Sequence, residues 1–310
     1  MRLASAEYAR IKDLFHGPDG QSVMELLSGL SIGRKADEFS SEMKELASSM
    51  GWVSDAGCLT SMGHVVAASC REYHLWLERD RQLPFANAAP WLTAEYFNGR
   101  KVVEIGSGAG ANLMSFKEPE NVVGIEPMEV YKQLGDILRE KDGVPNPTYK
   151  ISSGENLPFE DASVDVVLSV ASHQYFDIVK VLEEVARVLK PGGEVFFVGK
   201  TFSHHVKTLT PTYLNAGTIK REIACFANTA WYSLSKKRLF KIKGNNTSRP
   251  IYPTHARMRK WMAEVGIKGE ATLIPVANEC IQLGRKLGEV PVHKDETARK
   301  STLVEAKAAS

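Results

Sequence analysis

Three glycines at alternate positions, Gly106, Gly108 and Gly110, follow the short run Val102–Ile105. Glycine lets the backbone turn sharply and approach a ligand closely, because no Cβ stands in the way. The acid Glu104 lies two residues before the first glycine, and a carboxylate there suits a cationic ligand better than a pyrophosphate. The GxGxG spacing also differs from the GxGxxG of dinucleotide-binding loops, which disfavours an NAD-dependent dehydrogenase.

A second acid, Glu126, ends the next apolar run, Asn121–Ile125. A carboxylate at the end of the second strand of an α/β sheet can accept hydrogen bonds from both hydroxyls of a ribose. The two acids and the glycines therefore indicate a site for a cationic nucleoside.

Residues 100–200 alternate short aliphatic strands with amphipathic helices, which predicts βαβ units and a parallel sheet covered on both faces. The predicted strands are Lys101–Ile105, Asn121–Ile125, Thr148–Ser152, Val164–Val170 and Glu194–Val198, and the predicted helices are Met128–Glu140 and Ile178–Leu189. Further along, His255–Val265 is predicted as a helix, and Ala271–Pro275 with Cys280–Leu283 as an antiparallel hairpin.

With these motifs in order, residues 88–200 resemble the class I S-adenosylmethionine-dependent methyltransferases of the small-molecule type. The motifs that carry the resemblance are Val102–Gly110, Gly124–Pro127, Gly154–Asp165 and Leu182–Gly193. The resemblance implies an α/β fold with a doubly wound, Rossmann-like, seven-stranded sheet.

The resemblance also implies S-adenosylmethionine as the cofactor. Glu104 would hold the methionine amino group through the loop backbone or a water, and Glu126 would bind the ribose hydroxyls. Relatives often place an acid before the Leu-Pro-Phe stretch to contact the adenine; Ser153 stands there, so Ser153 or Glu155 would take its place. The predicted cofactor-binding residues are Glu104, Gly106, Ser107, Gly108, Gly110, Glu126, Pro127, Ser153, Gly154, Glu155, Ser169 and Val170.

Methyl transfer requires alignment of nucleophile, carbon and sulfur, and often the removal of a proton. In this fold the acceptor sits above the ends of strands four and five, where His173 and Tyr175 occur. Imidazole titrates near neutrality, so His173 is predicted as the general base, with a pocket-shaping role as the alternative. Tyr175 is predicted to line the pocket, with a core position as the alternative. No metal-ligand cluster occurs in the sequence, so no metal is predicted, and the default acceptor atom is oxygen, then nitrogen.

The segment 201–253 is basic and aromatic, and 201–260 holds twelve Lys or Arg residues against one acid, Glu222. It is predicted to be a substrate lid that favours a small anionic metabolite; the alternatives are a solvated basic face, an RNA contact and an acidic membrane surface. Glutamate at positions 236–238 is expected to raise the acceptor KM without affecting cofactor binding. The lid residues singled out are Trp231, Tyr232, Lys236, Lys237 and Arg238.

Three regions are predicted. Residues 1–85 form a helical, winged-helix-like domain for dimerisation or pocket capping, 86–290 form the methyltransferase domain with its lid, and 291–310 form a polar tail. Residues 1–80 hold eight basic and twelve acidic residues, which argues against binding DNA. A homodimer is predicted, hypothetically through the aromatic residues Tyr73, Trp76, Phe85 and Trp91.

The composition limits the classes of protein to which the chain could belong. The four cysteines are scattered without a CxxC pair, the N-terminus has no apolar signal region, and no apolar run is long enough to cross a bilayer. A cytoplasmic protein without a membrane span is therefore expected. Two alternatives stay open: a non-catalytic protein that binds S-adenosylmethionine for regulation or scaffolding, and an RNA methyltransferase that uses the basic insert.

Overall fold

The computed structural model of the chain describes residues 1–85, 89, 91–145, 147–207, 209, 216–240, 250–276 and 279–287. The predicted polar tail, 291–310, and parts of the predicted lid, including 241–249, lie outside the described residues. Within them, no helix is both long and apolar enough to span a bilayer.

Seven strands form one mixed sheet in the described chain. The first five run parallel in the order β3-β2-β1-β4-β5, and β7 then lies antiparallel between β5 and β6. This architecture confirms the predicted doubly wound, Rossmann-like sheet. The strands β1 to β7 are Val102–Ile105, Val122–Ile125, Thr148–Lys150, Val164–Val170, Leu189–Gly199, Ile267–Val276 and Glu279–Lys286.

Nine helices are described around the sheet. The helix α6 shows why they dock: its apolar residues recur at helical spacing, and Val181, Leu182, Val185 and Val188 are all buried against the sheet. The helices α1 to α9 are Ser5–His16, Gly20–Ser31, Ser41–Ser49, Ser61–Glu78, Glu129–Asp142, Ile178–Val188, Phe202–Lys207, Ala216–Ser235 and His255–Glu264.

The four N-terminal helices share one apolar core with α5 and with the segment after β1. Tyr73 donates a hydrogen bond to Asp142 at 2.6 Å, and Trp76 donates one to Ser115 at 3.1 Å. Between α3 and α4, Val53 and Leu59 form a single antiparallel bridge. The helix α4 is thereby fixed against the glycine-loop side of the sheet.

The predicted dimer contact through Tyr73, Trp76 and Phe85 is wrong, whereas half-buried Trp91 leaves its part of that prediction untested. Tyr73, Trp76 and Phe85 are 2%, 1% and 0% exposed, so these rings are packed inside the chain and offer no surface to a second copy. The sequence pattern predicts amphipathic faces but not which faces are covered intramolecularly. The winged-helix description, the homodimer and the division at residue 85 stay predictions.

The start of α4 provides a stability prediction. A Cβ on Gly63 would lie 1.9 Å from the carbonyl oxygen of Trp52, a buried residue. We expect Gly63→Ala to lower the free energy of unfolding by about 1–3 kcal/mol, because overpacking forces the backbone apart. At an uncrowded helix position the same change would stabilise the protein. Thermal unfolding measures the effect, with exposed Ser61→Ala as the control; equal midpoints for the two variants would contradict the packing described.

Candidate functional site

A cavity of about 300 Å³ opens at the carboxyl ends of β1, β2 and β4. Ligands of open α/β sheets bind at this edge, where neighbouring strands connect to opposite faces. Eight of the predicted site residues line it: Glu104, Gly106, Ser107, Gly108, Glu126, Pro127, Val170 and Tyr175. The sequence prediction of a site at the ends of these strands thus corresponds to a real concave feature.

The glycine loop has a backbone that only glycine adopts readily. Gly106 and Gly108 have φ angles of +69° and +53°. A Cβ on Gly106 would lie 2.6 Å from Cβ of Ser172, and one on Gly108 would lie 2.6 Å from a carboxylate oxygen of Glu72. Both positions therefore favour glycine for conformation, and Gly106 also for space, and they leave the loop backbone bare towards the cavity.

Glu104 is the most deeply buried acid of the cavity wall, at 1% exposure. Its Oε1 accepts a hydrogen bond from Asn112 at 2.7 Å, and its Oε2 is buried without a hydrogen-bond partner among the described residues. Burial raises the pKa of Glu104 to about 7, opposed by the Asn112 hydrogen bond and the charge of Arg79. A buried acceptor without a partner is costly, which points to a donor supplied by a ligand.

Glu126 joins the end of β2 to the glycine loop. Its carboxylate accepts hydrogen bonds from the backbone N–H of Gly108 at 3.2 Å and of Met128 at 3.0 Å. Burial raises the pKa of Glu126, although these two hydrogen bonds lower it. The carboxylate is held at one fixed position of the cavity wall, as a ribose-binding acid would need to be.

The helix α4 supplies a wall of the cavity that the sequence analysis missed. Glu72, Leu75 and Arg79 follow at helical spacing and all line the cavity. Oε2 of Glu72 accepts a hydrogen bond from the backbone N–H of Ala109 at 3.1 Å. Arg79 donates to Asn112 at 3.3 Å, so α4 is linked through Asn112 to Glu104. The i, i+3, i+7 spacing was visible in the sequence, but nothing there indicated where the helix docks.

The segment after β4 forms the opposite wall. Ser172 donates a hydrogen bond to the carbonyl of Ile105 at 2.9 Å, which ties this turn to the end of β1. Tyr175 is 39% exposed and faces the cavity together with Phe176. An acceptor that enters beside Tyr175 would approach the glycine loop across the ends of β1 and β4.

His173 does not lie on the cavity wall. It is 1% exposed, packs edge-on against Phe197, and approaches Gly199 closely enough that a Cβ there would touch its ring. Burial lowers the pKa of His173 to about 4. This side chain is neutral near pH 7 and turned into the sheet, so the geometry offers no support for the predicted base role, which remains a prediction.

The remaining predicted cofactor residues lie beside the cavity rather than on its wall. Gly110 faces the side chain of Tyr149. Gly154 packs on Ile105, and Glu155 accepts a hydrogen bond from the backbone N–H of Asp177 at 2.9 Å. Ser169 hydrogen-bonds with Ser172, and Ser153 is half-buried. Their role in binding the cofactor remains a prediction.

The predicted lid residues divide into structural and exposed groups. Tyr232 is fully buried: it donates to Asp177 at 2.6 Å and packs edge-on against Trp261, so its assignment as a substrate contact is wrong. Arg238 donates to the backbone carbonyls of Gln174 and Phe176, and Lys236 pairs with Glu264 at 2.7 Å. Trp231 and Lys237 are exposed.

The described residues contain no group of three or more His, Cys, Asp or Glu side chains placed to hold a metal ion. The cavity wall instead offers three carboxylates, those of Glu72, Glu104 and Glu126, and one guanidinium, that of Arg79. This set is suited to an organic ligand that carries positive charge together with hydroxyl groups.

A family model described as "Methyltransferase domain" matches residues 103–197, which span the glycine loop, both strand-end acids and the turn into β5. The chain contains a class I S-adenosylmethionine-dependent methyltransferase domain. The cofactor that this domain implies is S-adenosylmethionine. The wall of the cavity fits it: the glycine loop is open, and Oε2 of Glu104 and Oγ of Ser107 are buried without partners among the described residues.

Two curated relatives match 46% and 34% of this chain. An uncharacterized methyltransferase-like protein of Schizosaccharomyces pombe is 27% identical over 148 residues, 46% of this chain and 56% of its own. The uncharacterized methyltransferase YcgJ of Bacillus subtilis is 32% identical over 108 residues, 34% of this chain and 43% of its own. The chain thus spans about half the length of these relatives.

Solved methyltransferase structures are also similar. The YcgJ protein of Bacillus subtilis has a TM-score of 0.44 and 14% identity, covering 66% of this chain and 99% of its own. A putative methyltransferase of Haloferax volcanii, solved with the Trm112 activator, has a TM-score of 0.44 and 17% identity, covering 70% and 98%.

Proposed function

We propose that this protein transfers the methyl group of S-adenosylmethionine to a small-molecule acceptor. The observation that carries the proposal is the buried Oε2 of Glu104, which has no hydrogen-bond partner among the described residues and lies in a cavity that the glycine loop also lines. A ligand with an ammonium group and a ribose would supply donors to Glu104 and to Glu126. The sulfonium of the bound cofactor supplies an activated methyl group.

The chain's own residues bind and orient the two reactants. Glu126 would accept hydrogen bonds from the ribose hydroxyls and Glu104 from the ammonium group, while Ser107 offers a hydroxyl beside them. Leu75, Val170 and Phe176 supply apolar wall that excludes water from the reacting atoms. Alignment of the reactants accounts for most of the catalysis that such a transfer needs.

We infer that the acceptor is a small anionic metabolite methylated on oxygen or nitrogen. The charge of residues 201–260, with twelve basic residues and one acid, supports this. That single acid, Glu222, lies 2.7 Å from His205 and pairs with Arg221 at 3.0 Å, so it offsets one of the twelve basic residues. Cys58 and Cys70 form no disulfide within the described residues, which supports a reducing compartment such as the cytoplasm.

A paired acceptor screen tests the function. Carboxylate and phosphate metabolites are incubated with the protein and the cofactor beside their neutral esters or amides, and release of S-adenosylhomocysteine is measured. We expect turnover with members of the anionic set and little with their neutral partners. Turnover of neutral partners alone would overturn the anionic acceptor. If the protein binds the cofactor but methylates none of these metabolites, the result would favour the non-catalytic alternative.

The exposed Lys237 gives the cleaner test of the lid, because Arg238 bonds to backbone carbonyls and Lys236 pairs with Glu264. We expect Lys237→Glu to raise the KM of an anionic acceptor about twofold to fivefold, the range of exposed charge pairs. The Kd of the cofactor should not change. Lys260→Glu, an exposed change of the same charge on α9, is the control. Equal KM values for both variants would contradict a lid role for Lys237.

A further inference from the structure

We propose that Glu72, on helix α4, selects the cationic cofactor: its carboxylate binds a positive charge on the methionine half of S-adenosylmethionine. The inference rests on the proposed function and adds a residue that lies outside the segment matching the methyltransferase domain. The first observation is the position of the Glu72 carboxylate. Both carboxylate oxygens of Glu72 lie directly over Gly108, at 2.6 and 2.7 Å from where a Cβ would stand.

The fold alone gives no reason for an acid at position 72. The side chain is partly buried, and its carboxylate accepts one hydrogen bond, from the backbone N–H of Ala109. A glutamine could accept the same bond without a charge. Instead an ionisable acid shares the cavity with two others, Glu104 and Glu126, and the charges of these two make its ionisation in the free protein less favourable.

Two other groups of the cavity point to a ligand independently of Glu72. Oε2 of Glu104 and Oγ of Ser107 are both buried without hydrogen-bond partners in the described chain. Both residues line the same cavity as Glu72. A bound molecule that donates to these atoms would lie beside the Glu72 carboxylate.

Charge then defines what Glu72 recognises. S-adenosylmethionine carries a sulfonium and an ammonium, whereas S-adenosylhomocysteine keeps only the ammonium and 5′-methylthioadenosine has neither. A carboxylate over the glycine loop raises the affinity for the charged cofactor relative to ligands with less positive charge. After transfer the sulfonium charge is lost, so a contact to the sulfonium would also favour release of the product.

Proton release provides a second readout that a structural role would not change. Burial, reinforced by the charges of Glu104 and Glu126, raises the pKa of Glu72 to about 8. A bound cation favours the ionised carboxylate, so binding near pH 7 should expel a proton. The charged and titratable groups around Glu72 are Glu104 on β1, Glu126 after β2, Arg79 directly after α4, Tyr131 on α5 and Tyr149 on β3.

The experiment compares wild type, Glu72→Gln and Glu78→Gln by calorimetric titration with S-adenosylmethionine, sinefungin, S-adenosylhomocysteine and 5′-methylthioadenosine. Glutamine keeps the acceptor for Ala109, and exposed Glu78 on the same helix is the matched control. We expect Glu72→Gln to raise the Kd of S-adenosylmethionine about tenfold, the effect of one favourable ionic contact, and that of 5′-methylthioadenosine less than about twofold. Titration near pH 7 in two buffers should show that the variant releases about half to one proton fewer than the wild type.

The ligand series separates the two possible charges. An equal loss for S-adenosylmethionine and S-adenosylhomocysteine places Glu72 at the ammonium; a loss for S-adenosylmethionine and sinefungin alone places it at the sulfonium. Unchanged or tighter binding to all ligands, or an equal loss that includes 5′-methylthioadenosine, would overturn the inference. Failure of the wild type to bind any of the four would instead count against the proposed function.

Discussion

Replacing Glu126 with alanine should raise the Kd of S-adenosylhomocysteine at least about a hundredfold, because two hydrogen bonds to a charged group are lost at about 1.5–3 kcal/mol each. The loss has two sources. The ribose hydroxyls lose their acceptor, and the glycine loop loses the contact between the carboxylate and the backbone N–H of Gly108. Calorimetric titration measures the change, and thermal unfolding confirms that the variant is folded.

The control for this variant lies three residues further on. Glu129 is half-buried, begins α5 and pairs with Arg2 at 3.3 Å. Glu129→Ala removes an acid of the same type from the same segment, and its Kd should stay within about twofold of wild type. If the two variants bound S-adenosylhomocysteine equally well, the placement of the ribose at the end of β2 would be wrong.

The affinity for S-adenosylmethionine should rise steeply with pH between about 5.5 and 8, by a factor of about a hundred or more. The sign follows from two acids whose pKa values are raised by burial, to about 7 for Glu104 and to about 8 for Glu72. Below these values both carboxyls hold protons in the free protein. A cationic ligand needs the ionised forms, so binding at low pH must expel protons and is weakened.

Titrations across this range with S-adenosylmethionine and 5′-methylthioadenosine separate the charge effect from a general effect of pH on the protein. The uncharged nucleoside should bind with a nearly constant Kd, and Glu104→Gln should flatten the profile of S-adenosylmethionine. An affinity that is flat or falls as pH rises would show that these acids do not face the positive charges of the cofactor.

Local sequence signals predicted the sheet and the loop at its edge well. The predicted strand Val164–Val170 matches β4, and Lys101–Ile105 and Asn121–Ile125 each exceed the observed strand by one residue. β-Branched runs that are buried on both faces, followed by glycines or an acid, determine this part of the fold with little help from distant residues. The eight predicted residues on the cavity wall follow from the same signal, because strand ends in a parallel sheet converge.

What the sequence could not predict depends on how distant segments dock. Glu72 enters the site because α4 packs against α5 and the segment after β1. His173 and Tyr175 stand two residues apart, yet one is buried against Phe197 and the other faces the cavity. Tyr232 lies in the core, where it contacts Asp177 and Trp261, and both of these residues are distant in the sequence. Residue type indicates possible chemistry, but tertiary packing decides which side chains reach the site.

A calorimetric titration of the wild-type protein with S-adenosylhomocysteine, run beside a titration with NADH, tests directly which cofactor the cavity binds. We expect S-adenosylhomocysteine to bind with a Kd in the micromolar range and NADH to give no heat. This follows from the glycine loop, the fixed carboxylate of Glu126, and the oxygen of Glu104 that has no partner among the described residues. If NADH binds and S-adenosylhomocysteine does not, or if neither ligand binds, this cavity is not a site for S-adenosylmethionine.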